Sequence, residues 1–471
     1  MSQVKNMNIA SKKETIWNVC LLTVCILFYL LFPLCDGPVW CKDSESYVSM
    51  DISREPLYPT FLALCRICTG YSETGSLMAV VVIQSIIAGF TAWYAGLVIK
   101  RMKDQSTLLQ LAAIVFQFAV ALLCRFAAIR GSYYTECIMT EGLALSLFVL
   151  FMLELYLYVI TDRKRHIVWT LLLSFLLISI RKQMLITLLI MGCVLGWYYL
   201  IRSKKIRKFC CMLGMMVIVF FACKLTDRLY NHIVRDAWIE HCHSSRGFLC
   251  TLLYTSDVEK DKELFEDGAV KDLYLEIMAQ ADEQQILYRY AEPGWLPISE
   301  HYADCYDAIG YGIINPVVEE YLLEHYDLTR VELALQFDEI CDEMSKILIK
   351  QSLMPMMQVY VYNIAWGFVN SIARAKILLS IYAIAVYLAM GAAAVYLMIR
   401  KKKEEMDAQE KEQIDRSLSL AFIVIVSIAV NSFVVGFTIF TQPRYMIYSM
   451  GLFYTAGCML LYDIWKVKKQ R

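Results

Sequence analysis

An all-α, polytopic membrane fold is predicted by three features of this chain. It is 58% hydrophobic and only 19% charged over 471 residues, its mean hydropathy is +0.49, and its apolar runs recur at membrane-spanning length. A soluble domain carries about 25% charged residues, and roughly 17–25 apolar residues cross a bilayer. Ten such runs stand at 16–34, 76–99, 106–124, 138–160, 166–180, 183–201, 209–225, 376–399, 417–440 and 445–465. The formal net charge is zero, which argues against nucleic acid as a partner. Most of the 17 cysteines, including Cys20, Cys25, Cys193, Cys210, Cys211, Cys223 and Cys458, fall inside apolar runs and act there as small hydrophobes. Cys65 and Cys68 have helical spacing but no second pair, so no metal site is expected from them.

The run 16–34 has the length of a full span and no small-x-small site follows it, so it reads as a retained helix. The loop 35–75 comes next, with Pro56 at the first turn of a surface helix that ends near Cys68. Residues 167–201 are too many for one crossing without extreme tilt, so Arg181-Lys182 is read as the turn between a fifth and a sixth span. Residues 226–350 hold no span. Between 251 and 350 there are 23 Asp or Glu against 7 Lys or Arg, and apolar residues return at helical spacing in 270–277 and 331–348. This predicts a small helical domain with a solvated acidic surface. Trp366, Tyr360 and Tyr362 then mark a helix lying in the membrane interface before the eighth span. Three blocks result: a transmembrane core over 1–225 containing the loop 35–75, the acidic domain 226–350, and interfacial helix plus last spans over 351–471. No internal repeat is visible.

Positive charge sets the orientation. Lys12, Lys13, Lys100, Arg101, Lys103, Arg163, Lys164, Arg165, Arg202, Lys204, Lys205, Arg207, Lys208, Arg400, Lys401, Lys402, Lys403, Lys466, Lys468 and Lys469 crowd alternate loops. Those loops read as cytoplasmic, with both termini, which leaves 35–75 and 226–350 outside.

Polar chemistry gathers at the outer ends. Asp43-Ser44-Glu45-Ser46-Tyr47 and Arg54-Glu55-Pro56-Leu57-Tyr58-Pro59 place acids, a cation and tyrosines in the first outer loop. A carboxylate there suits proton removal from a hydroxyl, and an arginine suits a phosphate. Glu136 and Glu141 lie at the outer start of the fourth span. An acid within a span costs roughly 2.5–3.5 kcal/mol, so Glu141, read as one turn in, requires a partner, whereas Glu136 is nearer the surface. Arg181 and Lys182 are adjacent cations in an outer turn, and Arg444-Tyr445 opens the last span. Glu154 is deeper and reads as a structural pair or an inner-interface residue.

These motifs, in this order, resemble the GT-C glycosyltransferases, polytopic enzymes that move a sugar from a polyprenyl-phosphate carrier to an acceptor outside the membrane. The layout is similar to the dolichyl-phosphate-mannose protein mannosyltransferases and the bacterial aminoarabinose transferases. The acidic outer domain departs from both. The resemblance implies an inverting transferase with Asp43 as general base, in an Asp-x-x-x-Tyr-like setting completed by Tyr47, and with Glu45 and Asp51 as competitors. It implies that Arg54 faces the carrier phosphate, flanked by Glu55 and Tyr58. Arg181, Lys182, Arg444 and Tyr445 serve the same phosphate, and Glu136 or Glu141 bonds substrate or helps hold a divalent metal ion. No other cofactor is implied. The partners are the lipid-linked sugar, membrane lipids and a glycan, lipid or protein acceptor, in a bacterial plasma membrane.

Two other classes compete. A polysaccharide polymerase or ligase would put its key loop late in the chain, whereas the densest chemistry here is early. A lipid-linked-glycan transporter or flippase would carry polar residues near mid-membrane. No Gly-rich phosphate loop and no Asp-x-Asp motif are present. His241-Cys242-His243 with Cys250 completes no metal pattern and reads as a surface histidine pair.

Overall fold

The computed structural model describes residues 2–126, 134–242, 245–350, 353–374, 376–403 and 406–469. Gly131, Ser132 and Tyr133 of the expected fourth-span constellation, and His243, lie outside the described residues. Among the described residues the fold is all-α, its one β-bridge joining Val39 to Cys137.

The N-terminal half comprises α1 (Ser2–Asp36), α2 (Ser44–Val48), α3 (Leu57–Cys68), α4 (Glu73–Met102), α5 (Thr107–Phe126), α6 (Glu141–Thr161), α7 (Lys164–Ile180), α8 (Ile186–Gly196) and α9 (Ile206–Arg235). Short helices α2 and α3 occupy the first outer loop. Pro56 precedes α3 and accepts from the Thr60 hydroxyl at 2.7 Å, and the Ser72 side chain caps α4 by accepting from Gly75 N. α6 is the centre of the bundle: 83% of its most apolar window is buried, against 6% for α9, which faces lipid.

Nine described helices are long and apolar enough to cross a membrane; the expected span 166–180 is the one outside that count. Its helix, α7, has 17 residues, about 26 Å of rise, because Lys164, Arg165 and His166 occupy its first turn. It forms one half of a hairpin. Ser174 Oγ and Thr187 Oγ1 are 2.5 Å apart, whereas thirteen positions along a straight helix span about 20 Å. The chain reverses at Arg181, whose extended backbone (φ −158°, ψ 126°) ends α7. A 3-10 turn, Lys182–Leu185, then leads into α8, which a π-helical stretch, Trp197–Arg202, carries back to the end where α7 began. There the Tyr158 and Tyr199 hydroxyls meet and Lys208 pairs with Asp162. Glu154 is a structural pair at this same end, taken by His166 Nδ1 at 2.7 Å and by Tyr94.

The outer unit follows: α10 (Arg246–Thr255), α11 (Val258–Asp261), α12 (Ala269–Glu283), α13 (Trp295–Asp307), α14 (Asn315–His325) and α15 (Arg330–Leu348). A π-helical stretch, Ala308–Ile314, joins α13 to α14. Thr329 and Glu332 form a capping box on α15. Leu249, Tyr254, Ile277, Tyr302, Phe337 and Met344 build a core separate from that of the transmembrane bundle. α16 (Leu353–Asn370) contributes Met356 and Val359 to that outer core. It also anchors to the bundle, because Asn363 donates to Gly436 O and Asn370 to Thr441 O. Its Leu353, Met354, Met357 and Val361 stay exposed, as on a helix bordering lipid. Then come α17 (Ile377–Lys403), α18 (Ala408–Thr438), α19 (Pro443–Met446) and α20 (Met450–Lys469). Lys103 and Asp463, both buried, join the α4–α5 turn to α20 at 2.5 Å. All 17 cysteines are free thiols.

Candidate active site

The first outer loop is held over the bundle by its backbone. Val39 N–H donates to Glu136 O and Ile138 N–H to Val39 O, while the Ser44 hydroxyl donates to Ile138 O. This fixes the start of α2 against the entry to α6. Asp43, immediately before α2, is thereby set beside residues from three other parts of the chain.

Asp43 lies between two arginines. Arg54 Nη2 donates to its Oδ1 at 3.2 Å and Arg444 Nη1 to its Oδ2 at 3.3 Å. Asp43 and Arg54 are each about one-fifth exposed, so the pair is neither dry nor open. Arg54 is oriented further by Ser46 Oγ, at 2.8 Å from Nε, and by Tyr47, whose hydroxyl accepts from Nη1 and whose ring lies under the guanidinium at 4.5 Å. Burial opposes the charge on Arg54, but Tyr47 and Asp43 hold its pKa above the ordinary arginine value. Burial likewise pushes the Tyr47 phenol up to about 12, despite Arg54 and Arg181 nearby. Tyr58 stands behind: its ring meets Tyr47 edge-on at 5.2 Å and its hydroxyl donates to Gln84 Oε1.

A second ion pair adjoins the first. Arg181 Nη1 lies 2.7 Å from Glu141 Oε1, with Thr140 and Tyr448 hydroxyls at 3.4 and 3.5 Å. Tyr445 joins the two halves, because Arg181 and Arg444 each lie 4.7 Å from its ring centroid. The backbone of Tyr445 is pinned by Gln183 and Asn431, which both donate to its carbonyl. Three guanidiniums therefore face Asp43 and Glu141, with Glu55 also close enough to act on Arg54, and Arg444 Nε is buried with no hydrogen-bond acceptor among the described residues. A cluster of three guanidiniums with an unmet donor suits an anion.

The remaining expected residues divide. Glu141 is the first residue of α6, not one turn inside it, and Arg181 is the partner its burial requires. Glu136 is not near the surface as expected: it is fully buried, where Arg125 holds it bidentately at 3.0 and 3.2 Å and also reaches Asp36. Glu45 points to solvent and makes no ion pair among the described residues. Glu55 and Lys182 meet, but through the Lys182 backbone N–H donating to the Glu55 carboxylate.

His241 is the residue whose setting departs furthest from expectation. It is not a surface histidine: Nδ1 lies 2.6 Å from Asp227 Oδ2, and Nε2 is buried without a partner among the described residues. Asn231 fixes the other Asp227 oxygen, and Cys242 N–H donates to Ile52 O, clamping this segment to the first outer loop. Among the described residues no cluster of His, Cys, Asp and Glu has the geometry to hold a metal ion.

No family model and no curated protein matches the chain. Among solved structures, ArnT from Cupriavidus metallidurans bound to undecaprenyl phosphate aligns with 95% of this chain and 77% of its own, at 12% identity and a TM-score of 0.31. A likeness this loose carries no argument about activity. The chain is an all-α, polytopic integral membrane protein whose Asp43, Arg54, Glu141, Arg181, Arg444 and Tyr445 form one cluster.

Proposed function

We propose that the chain is a membrane glycosyltransferase of the GT-C type, moving a sugar from a polyprenyl-phosphate carrier to an acceptor on the extracytoplasmic face. The observation that carries this reading is the carboxylate of Asp43 shared by Arg54 and Arg444 inside a cluster of three guanidiniums. In this reading the carrier phosphate takes over Arg54 and Arg444, with Arg181 alongside, and so releases Asp43. The freed carboxylate removes the proton from an acceptor hydroxyl. The acceptor oxygen attacks the anomeric carbon, the bond from that carbon to the phosphate oxygen breaks, and the phosphate leaves on the lipid with the electron pair. Configuration at the sugar inverts in this single displacement. Guanidiniums already oriented by Tyr47 and Tyr445 need no rearrangement as charge develops on the leaving group.

The basic loops support cytoplasmic termini, with 35–75 and the acidic unit outside a bacterial plasma membrane. Under that topology the three blocks divide the work: 1–225 and 351–471 hold the lipid and its phosphate, and 226–350 meets sugar and acceptor.

Incubating purified protein with radiolabelled undecaprenyl-phosphate sugars and following release of undecaprenyl phosphate tests the proposal. Wild type should release it in an acceptor-dependent manner. Movement of intact carrier between leaflets of proteoliposomes, with no release, would instead identify a flippase.

A further inference from the structure

Arg246 is a cation whose role the transfer step leaves open. It opens α10, half-buried, and makes no ion pair among the described residues. Its guanidinium lies 3.9 Å from the centroid of the Tyr311 ring, and Nη1 donates to Asn315 Oδ1 at 2.5 Å. The stack depends on Gly310. A Cβ there would stand 3.1 Å from Cys250 Sγ and 3.3 Å from Arg246 Cδ, so a side chain would crowd the arginine and its neighbour would have to shift. On the other side of Tyr311, Gly312 has nothing within 4 Å of where its Cβ would be.

Tyr311 belongs to the π-helical stretch Ala308–Ile314, a departure from α-helical rhythm that turns one side chain away from the packed face and recurs at functional sites. Ile309 and Ile313 on the same stretch are fully buried, whereas Tyr311 is 55% exposed. One ring face is covered by Arg246, and more than half of the residue stays exposed.

The platform sits beside the anion cluster. Tyr306 donates its hydroxyl hydrogen bond to Gly247 O and packs on Phe440 at 5.2 Å, and Gly247 abuts the carbonyl of Thr438. Residues 438–440 run directly into Arg444. From the other direction, Tyr311 is close enough to Arg54 to act on its charge.

We propose that Tyr311, backed by Arg246, is the stacking platform for the pyranose ring of the carrier-borne sugar. The inference rests on the carrier-phosphate reading of the Asp43 cluster. With the phosphate at Arg54 and Arg444, the sugar projects away from the lipid and toward the outer unit. A pyranose presents a face of C–H groups similar in size to a phenol ring, and covering both removes apolar surface from water. The guanidinium stack holds the ring in one orientation, so little side-chain freedom is lost when the sugar arrives.

Binding of undecaprenyl phosphate and of undecaprenyl-phosphate glucose, galactose and mannose to the full chain in nanodiscs tests this. Wild type should bind at least one sugar-bearing carrier more tightly than the bare carrier. Tyr311→Ala should weaken that carrier roughly tenfold and leave bare undecaprenyl phosphate unchanged, while Tyr311→Phe keeps the wild-type pattern. Equal effects of Tyr311→Ala on bare and sugar-bearing carriers, or none on either, would overturn the platform and leave the phosphate site standing. No wild-type preference for any sugar-bearing carrier would do the same. Failure of wild type to bind any of the four would overturn the phosphate reading and the platform with it.

Discussion

Arg444 donates to Asp43 at 3.3 Å across 401 positions of sequence, so the last span closes the site that the first outer loop begins. The Asp43 carboxylate has a second arginine on its other oxygen. Both carboxylate oxygens are therefore occupied, and in the proposed reaction they are freed only when the carrier phosphate claims the arginines. This coupling of carrier binding to release of the base makes the first prediction.

Asp43→Asn keeps the size and the hydrogen-bond acceptor but not the proton acceptance. Turnover should fall by roughly 10²–10⁴, measured as single-turnover release of undecaprenyl phosphate. Affinity for bare undecaprenyl phosphate should hold or rise, because one competing negative charge is gone. Full turnover in Asp43→Asn together with a dead Glu45→Gln variant would move the base by two residues.

The cations should differ in kind. Arg54→Gln and Arg444→Gln each remove a charge-assisted contact of about 1.5–3 kcal/mol, or roughly 10–150-fold in carrier affinity. Lys182→Gln should change affinity far less, since Arg54, Arg444 and Arg181 are the cations that hold Asp43 and Glu141. Equilibrium binding of undecaprenyl phosphate checks the ranking, and a Lys182 effect as large as that of Arg444 would contradict it.

Much of this was readable from residue types and spacing. Hydropathy located the spans, and the charges Arg181 and Lys182 marked the reversal that Ser174 and Thr187 confirm. Residue types mark Arg54 and Arg444 as phosphate ligands, but that both sit on the Asp43 carboxylate is visible only in the fold. What spacing does not reveal is which acids are buried. Glu136 looks exposed in sequence because its partner Arg125 belongs to the preceding span, eleven positions back. His241 looks like a surface residue because Asp227 belongs to the helix before it, fourteen positions back. Tyr311 is one of many tyrosines, and only the π-helical turn, invisible in the local pattern, singles it out.

Arg181 and Glu141 form a pair in which both side chains are largely shielded from water. Removing one partner of such a pair leaves the other uncompensated, at about 3–5 kcal/mol. Arg181→Met should therefore lower the thermal unfolding midpoint clearly. The double variant Arg181→Met with Glu141→Gln should recover a large part of the loss, because no buried charge remains. Neither should regain carrier affinity, which needs the cation. Differential scanning fluorimetry alongside carrier binding separates these effects.

The His241–Asp227 pair gives a pH dependence with a definite sign. Burial opposes the charged imidazole, but the hydrogen bond to Asp227, with Glu55 and Asp227 as nearby negative charges, raises the pKa above the ordinary 6.5; Lys182 offsets part of this. A raised histidine stabilises the fold in its protonated form. Its contribution is thus fully present below about pH 6.5 and is lost as pH rises through the folded-state value. The difference in unfolding midpoint between wild type and His241→Gln should be greatest near about pH 6 and shrink toward about pH 9. Asp227→Asn should shrink that wild-type difference at the lower pH, since the partner that holds the proton is gone. A difference that stays flat across this range would mean that His241 does not titrate there, and that Asp227 holds a neutral ring.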